Sequence, residues 1–387
     1  MKIRGTWIDA PGTRAVCAML ARAGHRALFV GGCVRNALLH QPVNDVDIAT
    51  DARPERVLEL AEGAGLRGVA TGIDHGTVTI VADGVGHEVT TFRRDVETFG
   101  RRAVVAYSSD VAEDAARRDF TMNALYADPT GEVIDPLGEG LADLAERRVR
   151  FVGRAEARIT EDYLRILRFF RFHAWYGDPD AGPDPEGLAA CAAQVDGIVT
   201  LSRERVGAEM RRLLAAPDPA PSVAAMEASG VLAQVLPGTT ARALPVLVHL
   251  EGDAPAAYSR RLAVLAAPAQ GGADAVARTL RLPRDDARHL ARLLDEAGRT
   301  RGPAELGYRH GALAAADMVL VRAALHETPP PPGWQRDIAR GAEARFPVAA
   351  ADLMPALQGP ALGERLRQLE DRWIASDFTL TREELLA

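Results

Sequence analysis

Lysine is all but missing from this chain: Lys2 is the only one, so nearly every cation is an arginine. The flat, permanently charged guanidinium fork suits phosphates and base edges, while a GC-rich coding sequence, which would also supply the many alanines, produces the same bias. Cysteine is scarce. Cys17, Cys33 and Cys191 are too few and too scattered for a disulfide framework, and they lack the Cys-x-x-Cys spacing of a zinc site, which leaves buried or neutral thiols. No apolar run reaches the length a bilayer requires, which argues against a membrane protein. The start, MKIRGTWIDAPGTRAV, lacks the basic-then-apolar order of a secretory signal, so a cytoplasmic location is expected. An excess of positive charge is missing too. A net charge of −7 and a pI near 5.8 exclude a positive coat for indiscriminate nucleic-acid binding, though not selective contact with RNA. No fixed-period repeat marks a solenoid, and no feature calls for an obligate protein partner.

What is present fits a modular globular chain. A length of 387 residues corresponds to two to four packed units, at roughly 100–200 residues per domain. Up to about residue 140 the pattern alternates: an apolar-periodic run over Pro11–Ala23, a strand-like Ala27–Val30, a Gly-Gly pair and a helical stretch through Leu39. Val46–Ala49, Gly68–Ala70, Thr77–Ala82 and Glu88–Phe92 are further short strands. Beyond residue 141 strand signals fade and Ala/Leu/Arg/Glu stretches take over, broken at Gly177–Pro185, Pro217–Pro221, Gly252–Pro255 and Pro329–Pro332. The reading is α+β: a head with a small mixed sheet and helices, then an all-α remainder.

Chemistry concentrates in two segments. Leu28-Phe29-Val30-Gly31-Gly32-Cys33-Val34-Arg35-Asn36 reads as strand, glycine pair and helix, and Asn44-Asp45-Val46-Asp47-Ile48 as a strand with two acids. Gly31 and Gly32 let a triphosphate approach backbone N–H groups at the start of the helix, where the dipole favours anions. Residues i and i+2 share a strand face, so Asp45 and Asp47 project together while Val46 and Ile48 enter the core. Paired carboxylates with a phosphate ligand suit Mg²⁺, and two such ions can clamp attacking and leaving oxygens. The absence of a third glycine separates the layout from a dinucleotide-binding fingerprint.

These segments resemble the head of the class II bacterial CCA-adding tRNA nucleotidyltransferases and their poly(A) polymerase relatives, in the DNA polymerase β superfamily. The likeness continues in order through about residue 215. His87–Arg93 is similar to the strand bearing a third carboxylate, Glu88, and Arg117–Ala124 to the ribose-recognition motif with Arg118, Asp119 and Asn123. Glu161-Asp162-Tyr163-Leu164-Arg165 resembles the amino-acid template for CTP and ATP, and Leu201–Arg205 the motif that follows.

The resemblance implies a head over 1–140, a helical neck with the nucleotide-selecting motif over 141–215, a helical body over 216–328 and a helical tail over 329–387. It implies Asp45, Asp47 and Glu88 as the catalytic acids, with Asp45 and Asp47 on Mg²⁺. Nucleotide contacts fall to Gly31, Gly32, Arg35, Arg118, Asp119, Asn123, Asp162, Arg165 and Arg168. Asp162 and Arg165, three apart on one side of a helix, can read bases. The fork donates to cytosine's acceptors, and the carboxylate accepts from the amino group that cytosine and adenine carry where uracil and guanine have a carbonyl. The expected reaction is attack of the tRNA 3′-hydroxyl on the α-phosphate of CTP, twice, and then of ATP, releasing diphosphate. Poly(A) synthesis, partial CC or A addition, or non-catalytic RNA binding are the alternatives. The chain departs from the family pattern at Asn36, often aspartate, and at His40-Gln41, where a glycine is usual. Asp95–Asp110 corresponds to the family's mobile loop. Past residue 215 no chemical motif stands out: Arg260, Arg261, Arg278, Arg281 and Arg284 are candidate tRNA contacts or, more simply, solvated helix faces, and His249, His289 and His310 stand isolated in sequence.

Overall fold

The alternation in Thr77-Val78-Thr79-Ile80-Val81-Ala82 becomes a strand whose Val78, Ile80 and Ala82 are buried. The structure is a computed structural model that describes residues 1–99 and 102–387, except for the side chains of 74, 95–99 and 102–105. Its strands are β1 (Leu28–Val30), β2 (Asp47–Thr50), β3 (Arg67–Gly72), β4 (Thr77–Ala82), β5 (Val85–Thr91), β6 (Arg93–Phe99), β7 (Arg102–Tyr107), β8 (Tyr126–Ala127) and β9 (Val133–Ile134). Seven of them form one sheet in the order β3-β4-β5-β2-β1-β8-β9, while β6 and β7 pair as a separate ribbon. The β2–β5 pairing is parallel and the remaining described pairings are antiparallel, so the sheet is mixed.

The described residues divide into two units, Met1–Val235 and Leu236–Ala387. In the first, β2 lies inside the sheet, and Ile48, Ala49 and Thr50 are all buried. Residues on both pleat faces are therefore covered, as in a strand packed on two sides. Leu28, Val30, Ala49, Phe92, Ala115, Ala124, Tyr126 and Val152 form one buried core cluster of this unit. Helix Leu164–Tyr176 is fastened to the head by aromatics: Phe120 lies 4.9 Å from Phe172 and 5.0 Å from Phe151, centroid to centroid, and Phe151 stacks on Phe169 at 5.4 Å. Such pairs contribute roughly 0.5–1.5 kcal/mol each beyond their buried area.

Four expected strands are found in place. Val46–Ala49 forms one residue later, as β2, so Asp45 precedes the strand. The β8–β9 pair, two residues per strand, is too short to carry a period, and the Asp95–Asp110 segment has only a weak one. Its described backbone pairs as the β6–β7 ribbon from Arg93↔Tyr107 to Phe99↔Arg102; Gly100 and Arg101, part of the expected mobile loop, lie outside the described residues.

The second unit is helical throughout its described length. Helices Pro303–His310 and Trp334–Glu343 cross where glycines face backbone: a Cβ on Gly307 would meet the Ile338 carbonyl oxygen at 2.2 Å, and one on Gly341 the Ala304 oxygen at 1.8 Å. Two of the arginines read as candidate tRNA contacts prove otherwise. Arg260 and Arg261 are 5% and 2% exposed and both bond the buried Glu251, through Nε–Oε1 at 2.8 Å and Nη2–Oε2 at 2.8 Å. Arg260 also reaches Asp317 at 2.7 Å, and Asp317 faces His289 at 3.3 Å. His289 is thus paired across helices, and His310 faces Glu296 at 3.3 Å. The reason is burial on every side of the helix: both arginines fall in the buried run Arg260–Ala266, where only a paired charge is tolerated. All three cysteines are buried; burial pushes the Cys17 thiol up to about 12 and that of Cys33 up to about 11.

Candidate active site

Asp47 opens β2 and its register partner across the parallel pair is Glu88 of β5. Asp45, exposed, sits just before the strand. Burial first, then Glu88, then Asp45 push the Asp47 carboxyl above its usual range, while Arg118 pulls it back. Among the described residues no three Asp, Glu, His or Cys side chains already converge on a metal position. The arrangement therefore offers a pair of hard-oxygen donors with a third acid alongside, open to ligands from a substrate.

Gly31 follows β1 at φ +70° and ψ −119° and caps helix Gly32–Leu38. Only glycine takes that backbone without strain. A Cβ there would lie 3.4 Å from Nη1 of Arg118 and 3.7 Å from the Asn123 carbonyl oxygen. Gly32 has open space, its nearest neighbour being Arg35 Nη2 at 3.8 Å. The glycine pair, Arg118 and Asp47 thus share one neighbourhood.

Arg118 is fixed from behind. Asp114, 1% exposed, accepts from Arg118 Nη2 at 3.1 Å, from Arg117 Nε at 2.8 Å and from the Tyr126 hydroxyl at 2.6 Å, and Tyr126 in turn accepts from Arg118 Nε at 3.0 Å. Burial works to raise the Asp114 carboxyl, but Arg118, Arg117 and Tyr126 outweigh it and hold it at about 2. Sequence reasoning assigned Asp114 and Arg117 no role.

Asp119, Asn123 and Arg35 form a chain of bonds. Asp119 accepts from Asn123 Nδ2 at 2.9 Å through Oδ1 and from Arg168 Nε at 2.8 Å through Oδ2; Asn123 Oδ1 accepts from Arg35 Nη1. Burial opposes ionisation of Asp119, and Arg168 and Asn123 reverse that effect, holding it well below the usual carboxylate range. Arg35 is buried, 4.0 Å over the Tyr176 ring, and donates to its hydroxyl at 2.9 Å and to Asn36 Oδ1 at 2.8 Å. Asn36 donates onward to the Pro42 carbonyl at 2.9 Å, a bond no aspartate could make. The turn that usually carries glycine closes on His40 in the left-handed region, at φ +55°.

Asp162 and Arg165 are not on one helix. Helix Ala155–Glu161 ends before Asp162, which is extended at φ −156°, and the next helix starts at Leu164. Asp162 Oδ1 caps that start by accepting from Leu164 N at 3.1 Å, and Oδ2 accepts from Arg205 Nη2 at 2.6 Å. Arg165 donates to Glu161, the Arg158 carbonyl at 2.7 Å and the Arg117 carbonyl at 3.4 Å. The two project into the same cavity without pairing to each other.

That cavity, about 300 Å³, is lined by Arg117, Arg118, Asp119, Asp162, Leu164, Arg165, Arg168 and Arg205. Five guanidinium groups against two carboxylates give it a formal excess of three positive charges, suited to a polyanion. It gathers the predicted Arg118, Asp119, Asp162, Arg165 and Arg168, with Arg118 linking it to Asp47. Gly31, Gly32, Arg35, Asn123, Asp45, Asp47 and Glu88 are not in its lining. Arg205 belongs to a motif visible in the sequence, but its contact with Asp162 is not.

Residues 27–150 match the family model described as the poly A polymerase head domain, and residues 183–242 the one described as a probable RNA and SrmB-binding site of polymerase A. The chain is 40% identical over 204 residues to the mitochondrial CCA tRNA nucleotidyltransferase 1 of Mus musculus, and 43% identical over 194 residues to the CCA-adding enzyme of Leuconostoc citreum. These alignments cover 52% and 50% of this chain but 47% and 46% of those proteins, so the chain spans about half the length of the curated relatives it matches. The crystal structure of the Bacillus stearothermophilus CCA-adding enzyme in complex with CTP superposes with a TM-score of 0.75 at 28% identity, covering 95% of this chain and 93% of that one. The resemblance drawn from the motifs therefore holds, in sequence over the head and in fold over nearly the whole chain.

Proposed function

We propose that this chain adds C, C and A in turn to the 3′ end of tRNA, using CTP and ATP and releasing diphosphate, in the cytosol and without a nucleic-acid template. The observation that carries the reading is the arginine-lined cavity in which Asp162 and Arg165 lie beside Arg118, itself within electrostatic reach of Asp47. A base recognised at one end puts its phosphates toward the carboxylates at the other. The names of the similar proteins supply tRNA as acceptor and CTP as donor.

The crowded hard-oxygen donors, with Asp47 pushed up by burial and then by Glu88 and Asp45, fit a divalent cation, and we assign Mg²⁺ to Asp45 and Asp47 with Glu88 as third acid. When bound, such an ion offsets the negative charge on the reacting phosphate. The Gly31 N–H is taken by the Leu125 carbonyl at 3.1 Å, so the diphosphate falls to the N–H groups of the turn that Gly32 begins, and Arg118 adds a fixed positive charge beside them. Asp162 accepts from the amino group of cytosine or adenine, and Arg165 donates to ring acceptors. Asn123, held by Arg35, and Asp119, held by Arg168, set the sugar end. Positioning and charge neutralisation supply most of the rate, as in phosphoryl transfer generally. The division into head (1–140), neck (141–215), body (216–328) and tail (329–387), and rearrangement of Asp95–Asp110 between C and A addition, belong to the same proposal.

The test combines purified protein and Mg²⁺ with single labelled nucleotides and tRNAs ending at the discriminator base, at C or at CC. Growth that stops at CCA supports the reading; a long A tail would make the chain a poly(A) polymerase, arrest after CC or A addition alone would make it a partial enzyme, and binding without incorporation a non-catalytic RNA binder. Asp45→Ala and Asp47→Ala should abolish incorporation while leaving tRNA affinity largely intact, because phosphate contacts by arginine dominate binding. Normal extension by either variant sinks the metal assignment.

A further inference from the structure

The carboxylate proposed to read the base is anchored twice, and one anchor arrives from far along the chain. Asp162 lies between two helices with extended backbone: its N–H bonds the Ile159 carbonyl at 3.1 Å and its carbonyl accepts from Arg165 N at 2.9 Å, which ties the main chain but leaves the direction of the carboxylate to its own partners. Its Oδ1 is occupied by Leu164 N at 3.1 Å. Its Oδ2 meets Nη2 of Arg205, from helix Arg203–Leu214, at 2.6 Å. Arg205 and Asp162 are only 17% and 22% exposed in their side chains, and both line the cavity. A carboxylate oxygen has two lone pairs, so Oδ2 can keep Arg205 and still accept from a base amino group.

We propose that Arg205 is a positioning residue for nucleotide selection: it holds the Asp162 carboxylate at one angle in the cavity, so that the carboxylate accepts from cytosine and adenine and rejects uracil and guanine. This rests on the base-reading role given to Asp162 above. Without Arg205 the carboxylate keeps one anchor, rotates about its side-chain bonds and loses the fixed direction on which discrimination depends. Neighbouring arginines cannot replace it. Arg165 already donates to Glu161 and two backbone carbonyls, which leaves its remaining N–H groups for the base, and Arg168 is held by Asp119.

The experiment measures kcat/KM for CTP and for UTP on a tRNA ending at the discriminator base, for the unaltered protein, Arg205→Ala, Arg205→Lys and Asp162→Ala, each checked for its melting temperature. The expected result for Arg205→Ala is a fall of about tenfold in the CTP/UTP ratio, the scale of one charge-assisted hydrogen bond. It should come mainly through a raised KM for CTP, with partial recovery in Arg205→Lys, which keeps the charge but not the fork. A purely structural arginine would lower kcat/KM for both nucleotides together, and an unchanged ratio in Arg205→Ala overturns the inference. If Asp162→Ala loses discrimination in that same experiment, the base-reading role survives and Arg205 alone is ruled out. If Asp162→Ala keeps the unaltered ratio, the reading beneath both is wrong.

Discussion

Asp114→Asn isolates the charge that organises the cavity wall. The carboxylate is 1% exposed and takes hydrogen bonds from Arg117, Arg118 and Tyr126, which together overcome the cost of burial and hold it at about 2 instead of 3.8. Because the folded value is depressed, the stabilisation is present above the unfolded value and is lost as pH falls toward the folded one. At about 1.4 kcal/mol per unit, the shift corresponds to about 2 kcal/mol at neutral pH, of which about 1 kcal/mol is gone by pH 3. Asparagine keeps the size and removes the charge. Denaturant unfolding, followed in parallel by circular dichroism and tryptophan fluorescence, should find Asp114→Asn less stable by about 2 kcal/mol or more at pH 7, with the gap to the unaltered protein narrowing by about 1 kcal/mol at pH 3. A gap that stays constant between the two pH values would refute the claim that the ionised carboxylate holds Arg117 and Arg118.

Two further outcomes concern the second unit. Gly341→Ala places a methyl group where the Ala304 carbonyl already lies at 1.8 Å; the helix pair must separate, and thermal unfolding should show a loss of about 1–3 kcal/mol, the usual cost of overpacking. Glu251→Gln leaves Arg260 and Arg261 buried with their shared carboxylate removed, and a loss of about 3–5 kcal/mol in the unfolding of this unit is expected. A replacement costing under about 1 kcal/mol would mean that the cluster is hydrated in solution.

The parts of the site that were legible in the sequence are those whose signal is local. Gly31-Gly32 after one strand and Asp47 at the start of the next follow from spacing, since backbone sterics act within a few residues, whereas Asp45 precedes the strand and the pleat face expected to carry both acids does not include it. Asp47 facing Glu88 depends on a parallel pairing reached only after a helix and two intervening strands, so the residue type suggested the acid and only the fold supplied its register. The break at Asp162 carries neither glycine nor proline. Its signal was the aspartate itself, whose side chain caps the helix that follows, and the arginine-rich periodicity on either side masked it. Arg260 and Arg261 misled in the opposite sense, because a charged residue reads as surface unless its partner is known, and Glu251 lies nine and ten residues away on another helix.

The same reasoning explains why arginine so dominates here. A lysine at position 118 could meet Asp114 but not Tyr126 as well while leaving a further donor edge near Gly31; a lysine at 205 would bond Asp162 with no fixed direction. At Arg118 and Arg165 a single side chain bonds more than one protein group, which a planar fork allows at little cost in rotational freedom and an ammonium does not. Composition bias can supply arginine anywhere in a chain, but it does not explain why Arg117, Arg118, Arg165, Arg168 and Arg205, brought from three segments of the sequence, should line one cavity, each held by a carboxylate. Under the proposed function, such anchoring fixes positive charge in advance of an incoming triphosphate, so that little reorganisation remains to be done when the phosphates arrive.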